Sequence, residues 1–115
     1  MVDEASLNTE ILDELRELLA ENFNELIDRY LSDSQLRFNL LQKAITELDF
    51  KAINYEAHGI KGSSRNMGAN RLADLMGRLE ASGHAQNAQN LLEVFADAKS
   101  EYARVITGLV SVRNT

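Results

Sequence analysis

The sequence predicts an all-α protein, and its composition and length indicate this class. The chain of 115 residues has no proline and only six glycines, and 44% of its residues are apolar. Leucine, alanine, glutamate and asparagine are prominent, a composition that suits helices and offers little to strands. One domain, residues 1–115, is the expectation for this length. We therefore expect an antiparallel four-helix bundle with an additional N-terminal helix.

Apolar periodicity predicts a first helix over residues 9–20, with Thr9 as its N-cap. Its apolar residues recur at helical spacing: Leu7, Ile11, Leu15, Leu18 and Leu19. A second helical region covers residues 21–48, with apolar residues Phe23, Leu26, Ile27, Tyr30, Leu31, Leu36, Leu40, Leu41, Ala44, Ile45 and Leu48. Ser32, Asp33 and Ser34 prefer caps to helix interiors. This region therefore forms either one long bent helix or two shorter helices.

Three further helices follow. Asp49 is the predicted N-cap of a third helix with the core face Phe50, Ile53, Ala57, Ile60, Ser64 and Met67. Gly68 ends it, and a fourth helix covers residues 69–82, with Leu72, Leu75, Met76 and Leu79 inward. Gly83 is expected to end that helix in the left-handed conformation. A fifth helix over residues 87–112 buries Leu91, Phe95, Ala98, Tyr102, Val105, Ile106 and Leu109.

Charge and composition exclude several classes of function. The net charge of −6 argues against a nucleic-acid partner, because a phosphate backbone requires a basic surface. The chain has no cysteine, its first residues are acidic where a secretion signal is basic, and no apolar run is long enough to span a membrane. We expect a cytoplasmic monomer that does not associate with membranes.

A basic segment surrounds one of the two histidines. Residues 58–78 contain Lys61, Arg65, Arg71 and Arg78 against the single acid Asp74. Such charges are often an ordinary solvated helix face. The alternative is a basic patch round His58 that attracts a phosphoryl group and an acidic partner.

His58 begins the run His58-Gly59-Ile60-Lys61-Gly62-Ser63-Ser64. On a helix, Gly62 lies one turn after His58 and Lys61 stands beside that turn, so the imidazole is left uncovered. A glycine inside a helix costs about 0.5–1 kcal/mol relative to alanine. Gly62 therefore serves either a close approach of a neighbouring helix or access to His58.

Residues 57–80 resemble the signature of histidine-containing phosphotransfer (HPt) domains. The shared pattern is a histidine, two residues, Lys-Gly, a Ser-Ser pair, Gly-Ala, and a leucine-rich helix ending in Leu-Glu. The resemblance implies a phosphorelay intermediate of two-component signal transduction, with His58 as the phosphoryl acceptor. Its partners would be response-regulator receiver domains and hybrid sensor kinases. The receiver would supply an aspartate and Mg²⁺, and the chain would need no cofactor of its own.

The resemblance also implies roles for the neighbours of His58. Lys61 offsets the charge of the phosphoryl oxygens. Glu80 stands where these domains often place a polar residue that orients the imidazole, although an ordinary exposed glutamate is the alternative. Tyr55, Gly59 and Arg65 are predicted to contact the receiver. Gly59 stands where a bulky apolar residue is often found, so Tyr55 and the first two helices would supply the apolar part of docking.

Other functions stay open. The chain has no nucleotide-binding motif and should not be a kinase by itself. It could instead be a helical adaptor that binds receivers without phosphorylation, or an enzyme that uses His58 as a general base. Ser63 and Ser64 lack a base partner at known spacing, which favours packing and backbone hydrogen bonds. His58 and His84 lack a third ligand for a metal site.

Overall fold

The computed structural model describes residues 2–113, which form five α-helices and no strand within that range. The helices are α1 (Thr9–Leu19), α2 (Phe23–Glu47), α3 (Phe50–Asn66), α4 (Asn70–Ala85) and α5 (Leu91–Arg113), and a 3-10 turn (Ala20–Asn22) joins α1 to α2. Helices α2 to α5 form an antiparallel bundle round one hydrophobic core. The predicted all-α bundle with an additional N-terminal helix is confirmed. None of the helices in this range combines the length and apolar character that a transmembrane span needs.

Helix α1 is capped by Asn8 rather than by Thr9. The side-chain oxygen of Asn8 accepts a hydrogen bond from the backbone N–H of Ile11 at 3.2 Å. The backbone N–H of Asn8 donates to the carbonyl of Gly68 at 2.9 Å, in the turn between α3 and α4. Both residue types can cap a helix, and this contact places Asn8 at the start. Helix α1 thus lies at one end of the bundle, as predicted.

Helix α2 is continuous, which decides between the two predicted arrangements of residues 21–48. Ser34 is buried within it, and its hydroxyl forms hydrogen bonds with the Tyr102 phenol at 2.6 Å and the Leu31 carbonyl at 3.4 Å. Because the polar side chain is satisfied in the core, it does not interrupt the helix. Tyr102 also stacks on Phe38, with ring centroids 4.1 Å apart. These contacts join α2 to α5.

Four leucines that the periodicity assigned to the core lie at the surface instead. They are 43–80% exposed: Leu18, Leu36, Leu40 and Leu48. Leu12 and Phe38 occupy core positions in α1 and α2. Steps of three and four residues mark two adjacent apolar stripes on these helices, and the position of the neighbouring helices decides which stripe is buried.

Helix α3, which carries His58, begins and ends where the sequence predicts. The Asp49 side chain accepts a hydrogen bond from the backbone N–H of Ala52 at 3.1 Å. The predicted core face is buried from Ile53 to Met67, and Phe50 is partly buried. Gly68 follows with a φ of +79°, a conformation that glycine adopts without strain.

Helix α4 continues past Gly83 to Ala85, and Gln86 has the left-handed conformation, with a φ of 54°. Gly83 is buried where α4 meets α3. A Cβ on Gly83 would lie 2.7 Å from the backbone nitrogen of Asn54 and 2.8 Å from the carbonyl oxygen of Phe50. The prediction that Gly83 ends the helix is wrong, because this glycine allows close contact between two helices.

Helix α5 begins at Leu91 rather than at residue 87. The Asn87 side chain accepts a hydrogen bond from the backbone N–H of Gln89 at 2.9 Å, and Asn90 has a φ of 64°. Asparagine tolerates such turn conformations, so residues 87–90 form a turn. The predicted inward residues of α5 are buried, except that Ile106 is partly buried.

Candidate functional site

The α3–α4 pair is the most extensive helix pair in the bundle, and it positions the candidate site. Gly83 lets the two backbones approach closely. The Asn54 side-chain amide donates to the backbone carbonyl of Glu80 at 3.0 Å. Since Asn54 lies about one turn before His58, this bond holds Glu80 beside the histidine.

His58 and Glu80 form the central contact of the site. The Nδ1 atom of His58 lies 2.6 Å from Oε2 of Glu80, and the His58 side chain is 69% exposed. The other Glu80 oxygen, Oε1, lies 2.5 Å from Nζ of Lys61. The structure therefore brings together three of the residues that the sequence singled out.

The surroundings of Glu80 keep it ionised. The hydrogen bond from the Lys61 ammonium lowers the pKa of the Glu80 carboxyl below its ordinary value, partial burial opposes this shift, and the His58 hydrogen bond adds to the lowering. Near neutral pH Glu80 is a carboxylate, which can only accept hydrogen bonds.

The ionised Glu80 determines which nitrogen of His58 can react. Because a carboxylate only accepts, the proton of the neutral imidazole resides on Nδ1. The lone pair is then on Nε2, the nitrogen that makes no contact with Glu80. The arrangement presents an exposed imidazole nucleophile whose tautomer is fixed by the Glu80 carboxylate at the opposite ring nitrogen.

Gly62 borders open space. Apart from its chain neighbours Lys61 and Ser63 and the adjacent backbone of its own helix, no heavy atom of residues 2–113 lies within 4 Å of the position that a Cβ on Gly62 would take. Close approach of a neighbouring helix, one of the two explanations for this glycine, is therefore excluded among the described residues. Access to His58 one turn away is the explanation that the geometry favours.

The residues predicted to contact a partner differ in their accessibility. Tyr55 is 66% exposed, and Arg65 is exposed, with Nη2 3.6 Å from Oδ1 of Asp74. Gly59 is covered by the guanidinium of Arg37 from α2, so a partner at this point meets Arg37 before the glycine. Sequence patterns missed Arg37, because only the packing of α2 on α3 brings it to the site.

The predicted basic patch is divided between two surfaces. Lys61 and Arg65 belong to α3 and make ion pairs with α4. Arg71 and Arg78 instead line a groove of about 460 Å³ between α4 and α5, together with Arg104. Of the two interpretations of this basic segment, a patch round His58 applies to Lys61 and Arg65 and does not apply to Arg71 and Arg78.

A fully buried acid, Glu101 of α5, lies in that groove. Its Oε1 accepts a hydrogen bond from Nε of Arg104 at 3.0 Å and lies 3.9 Å from Nη1 of Arg71. Its Oε2 has no hydrogen-bonding partner in the described part of the chain. No sequence pattern indicates this acid, since the periodicity of α5 does not require a charge in the core.

The serine pair after the site is structural, as predicted. The Ser63 hydroxyl donates to the carbonyls of Gly59 at 3.2 Å and Ile60 at 3.3 Å. Ser64 is buried, and its hydroxyl lies 2.8 Å from the Tyr30 phenol. Burial raises the pKa of Tyr30 far above its usual value, so the phenol stays protonated and available for this bond.

Comparisons with known proteins agree with this geometry. The family model for the Hpt domain matches residues 8–108. Among solved structures, the chain is similar to the crystal structure of histidine-containing phosphotransfer protein B (HptB) from Pseudomonas aeruginosa PAO1, with a TM-score of 0.91, 29% sequence identity and 95% of each chain covered. No curated protein matches the chain. The chain therefore belongs to the Hpt domain family, whose role is histidine phosphotransfer in phosphorelays that include receiver domains.

Proposed function

We propose that the protein is a phosphorelay intermediate that accepts a phosphoryl group on His58 from a receiver aspartyl phosphate and passes it to another receiver. The observation that carries this proposal is the exposed imidazole whose Nδ1 lies 2.6 Å from Glu80. The Nε2 lone pair forms the new N–P bond while the P–O bond to the receiver aspartate breaks. The aspartate leaves as a carboxylate, and the reverse sequence delivers the group to the next receiver.

Glu80 stabilises the histidine as this reaction proceeds. Attack by Nε2 places positive charge on the imidazole ring, because Nδ1 keeps its proton. A carboxylate bonded to Nδ1–H favours that charge, and charge-assisted hydrogen bonds are the stronger kind. Lys61 holds the other oxygen of Glu80 and offsets negative charge on the phosphoryl oxygens.

The partner supplies the remaining chemistry in this proposal. Phosphoryl transfer depends mainly on positioning and on neutralising the charge of the moving group. The receiver contributes the aspartate and Mg²⁺, and the chain contributes His58, Lys61 and Glu80. The chain acts as a phosphoryl carrier without kinase activity of its own, as a cytoplasmic monomer that serves receivers and hybrid sensor kinases.

Incubation with a phosphorylated receiver domain tests the proposal. The chain should acquire an acid-labile, alkali-stable label, and His58→Gln should abolish it while the helical content stays unchanged, since an exposed side chain contributes little to the core. The matched control is His84→Gln, which changes the other histidine of the chain, also exposed.

Each alternative gives a distinct result in this experiment. A helical adaptor would bind the receiver without becoming labelled. A general-base enzyme would neither bind the receiver nor acquire the label. Full labelling of His58→Gln would refute the assignment of the phosphoryl acceptor.

A further inference from the structure

Arg37 of α2 occupies the space beside the nucleophile that Gly59 leaves empty. A Cβ on Gly59 would lie 2.7 Å from Cζ of Arg37 and 3.2 Å from its Nε, so a side chain at this position would displace the guanidinium. The guanidinium therefore lies directly against the backbone of the residue that follows His58.

Arg37 is held in this position by three neighbours. Its Nε lies 3.3 Å from Oδ2 of Asp33, and its Nη1 lies 3.1 Å from Oε1 of Glu56. Its Cζ also lies 5.8 Å from the centroid of the Tyr55 ring, within the range of a cation–π contact. Two carboxylates and one ring thus fix the planar guanidinium.

These contacts indicate what Arg37 can contribute. Its side chain is only 28% exposed, and both carboxylates already compensate its charge. It is consequently a poor binding site for a further anion. It is well suited to supporting the exposed ring of Tyr55 and to forming a flat surface next to His58, since a guanidinium packs on aromatic faces.

We propose that Arg37 is a positioning residue for receiver docking: lying against Gly59, it supports Tyr55 and shapes the surface that a receiver must cover to reach His58. This inference rests on the proposed function and assigns to it a residue from another helix. This placement also explains the glycine at position 59, because a side chain there would displace the guanidinium. In this proposal, receiver docking depends on the planar shape of the Arg37 guanidinium rather than on its charge.

Four variants test the proposal with the receiver domain that labels the wild-type chain fastest. Arg37→Gln should raise the KM for the phosphorylated receiver about tenfold, the size of effect expected for an interface anchor, with little change in kcat. Gly59→Ala keeps the cation but displaces it, so it should act like Arg37→Gln. Arg37→Lys keeps the charge without the planar group and should not restore the KM.

The fourth variant, Arg29→Gln, is the matched control. Arg29 lies on the same helix and makes one ion pair four residues away, to Glu25 at 3.2 Å. Its replacement removes the same charge and should leave the KM nearly unchanged. An Arg37→Lys variant with wild-type KM, or an Arg29→Gln variant as impaired as Arg37→Gln, would show that charge is decisive and would overturn the proposal.

The double variant Arg37→Gln/Gly59→Ala tests whether the two residues act together. If Arg37 acts from its place against Gly59, the double variant should be no worse than either single variant. If the KM increases of the two single variants multiply in the double variant, the proposal is overturned. An unchanged KM in both single variants would also overturn it. A loss of thermal stability with unchanged KM would assign Arg37 to the attachment of α2 on α3 alone.

Direct binding separates this inference from the proposed function. Calorimetry with the unphosphorylated receiver should show weaker binding for Arg37→Gln and Gly59→Ala, whether or not His58 is labelled. An unlabelled wild-type chain with this binding pattern would refute the relay function and leave the role of Arg37 intact. Normal labelling of His58, together with unchanged receiver affinity of both variants, would support the relay function and refute the role of Arg37.

Discussion

Gly62 and Gly83 are both glycines inside helices, but their surroundings predict opposite effects of a methyl group. The Cβ position on Gly62 meets no described atom of another helix within 4 Å, whereas that on Gly83 would lie 2.7 Å from the Asn54 backbone nitrogen. Gly62→Ala should raise the free energy of unfolding by about 0.5–1 kcal/mol. Gly83→Ala should lower it by about 1–3 kcal/mol, through overpacking. Urea denaturation of both variants measures these free energies of unfolding. Changes of the same sign in the two variants would contradict the geometry.

A longer side chain at Gly62 should separate stability from function. Gly62→Gln removes the glycine penalty and has room in the described structure, so stability should hold or rise. The side chain would stand one turn from His58 and keep the donor away from Nε2. Transfer from a phosphorylated receiver should slow at least about tenfold, because small misplacements of reacting groups are costly. Transfer at the normal rate would show that access to His58 does not explain this glycine.

The lowered pKa of Glu80 predicts how stability depends on pH. Its carboxylate form is favoured in the folded state, so its contribution is complete well above the ordinary carboxyl pKa of 4.5 and is lost as pH falls through the lowered value. The stability difference between wild type and Glu80→Gln should shrink as the pH falls from about 5 through the lowered pKa of Glu80. Denaturant titrations of both proteins over this range test the sign. A difference that grows on acidification would contradict it.

Glu80→Gln should also slow phosphotransfer at neutral pH. The amide still accepts from Nδ1–H but stabilises the positive charge of the ring less well than a carboxylate. Hydrogen bonds to charged groups contribute about 1 kcal/mol more than neutral ones, which predicts a rate several-fold lower. The measurement is single-turnover transfer to His58, and an unchanged rate would reduce Glu80 to an ordinary surface residue.

The groove between α4 and α5 contains an asymmetric ion pair. Glu101 is fully buried, whereas the side chain of Arg104 is about half exposed. Arg104→Met leaves a buried carboxylate without its main partner and should destabilise the fold by about 3 kcal/mol. Glu101→Leu removes the buried charge and leaves Arg71 and Arg104 to be hydrated. This substitution should lower the free energy of unfolding by less than about 1 kcal/mol, or raise it. Thermal unfolding of the two variants compares them, and a larger loss for Glu101→Leu would contradict this account.

The elements also show which features can be read from sequence. Asp49 and Gly68 delimit α3 through interactions within one or two turns, so both are recognisable locally. The surface positions of Leu36 and Leu40 and the continuation of α4 past Gly83 depend on where a neighbouring helix lies, which periodicity does not encode. The same division holds at the site. Lys61 and Gly62 lie within one turn of His58, and the resemblance pointed to Glu80, whereas Arg37, Asn54 and Glu101 are known only from the packing.

The exposed neighbours of His58 predict where a receiver would dock. Tyr55 and Arg65 lie about one and two turns from His58 on the same side of α3, and neither belongs to the core. Tyrosine and arginine often anchor interfaces, so Tyr55→Ala with Arg65→Glu should weaken receiver binding about tenfold or more and slow transfer. The bundle should stay folded, since the Arg65–Asp74 pair is exposed and contributes little.

Labelling by a small phosphodonor provides the control for this prediction. Phosphoramidate requires no docking surface, so its slow labelling of His58 should survive both substitutions. If receiver transfer were unaffected by the double variant, the docking surface would have to lie on the acidic α1 and the start of α2 instead.

The distribution of tyrosines allows tyrosine fluorescence to monitor the predicted docking surface. The chain has three tyrosines and no tryptophan. Tyr30 and Tyr102 are buried in hydrogen bonds with serines, and Tyr55 alone among them is exposed. A soluble quencher such as acrylamide should therefore reach mainly Tyr55 in the folded protein. A receiver without tyrosine or tryptophan would shield that ring on binding, so the unlabelled wild-type chain reports its own complex through the loss of quenching.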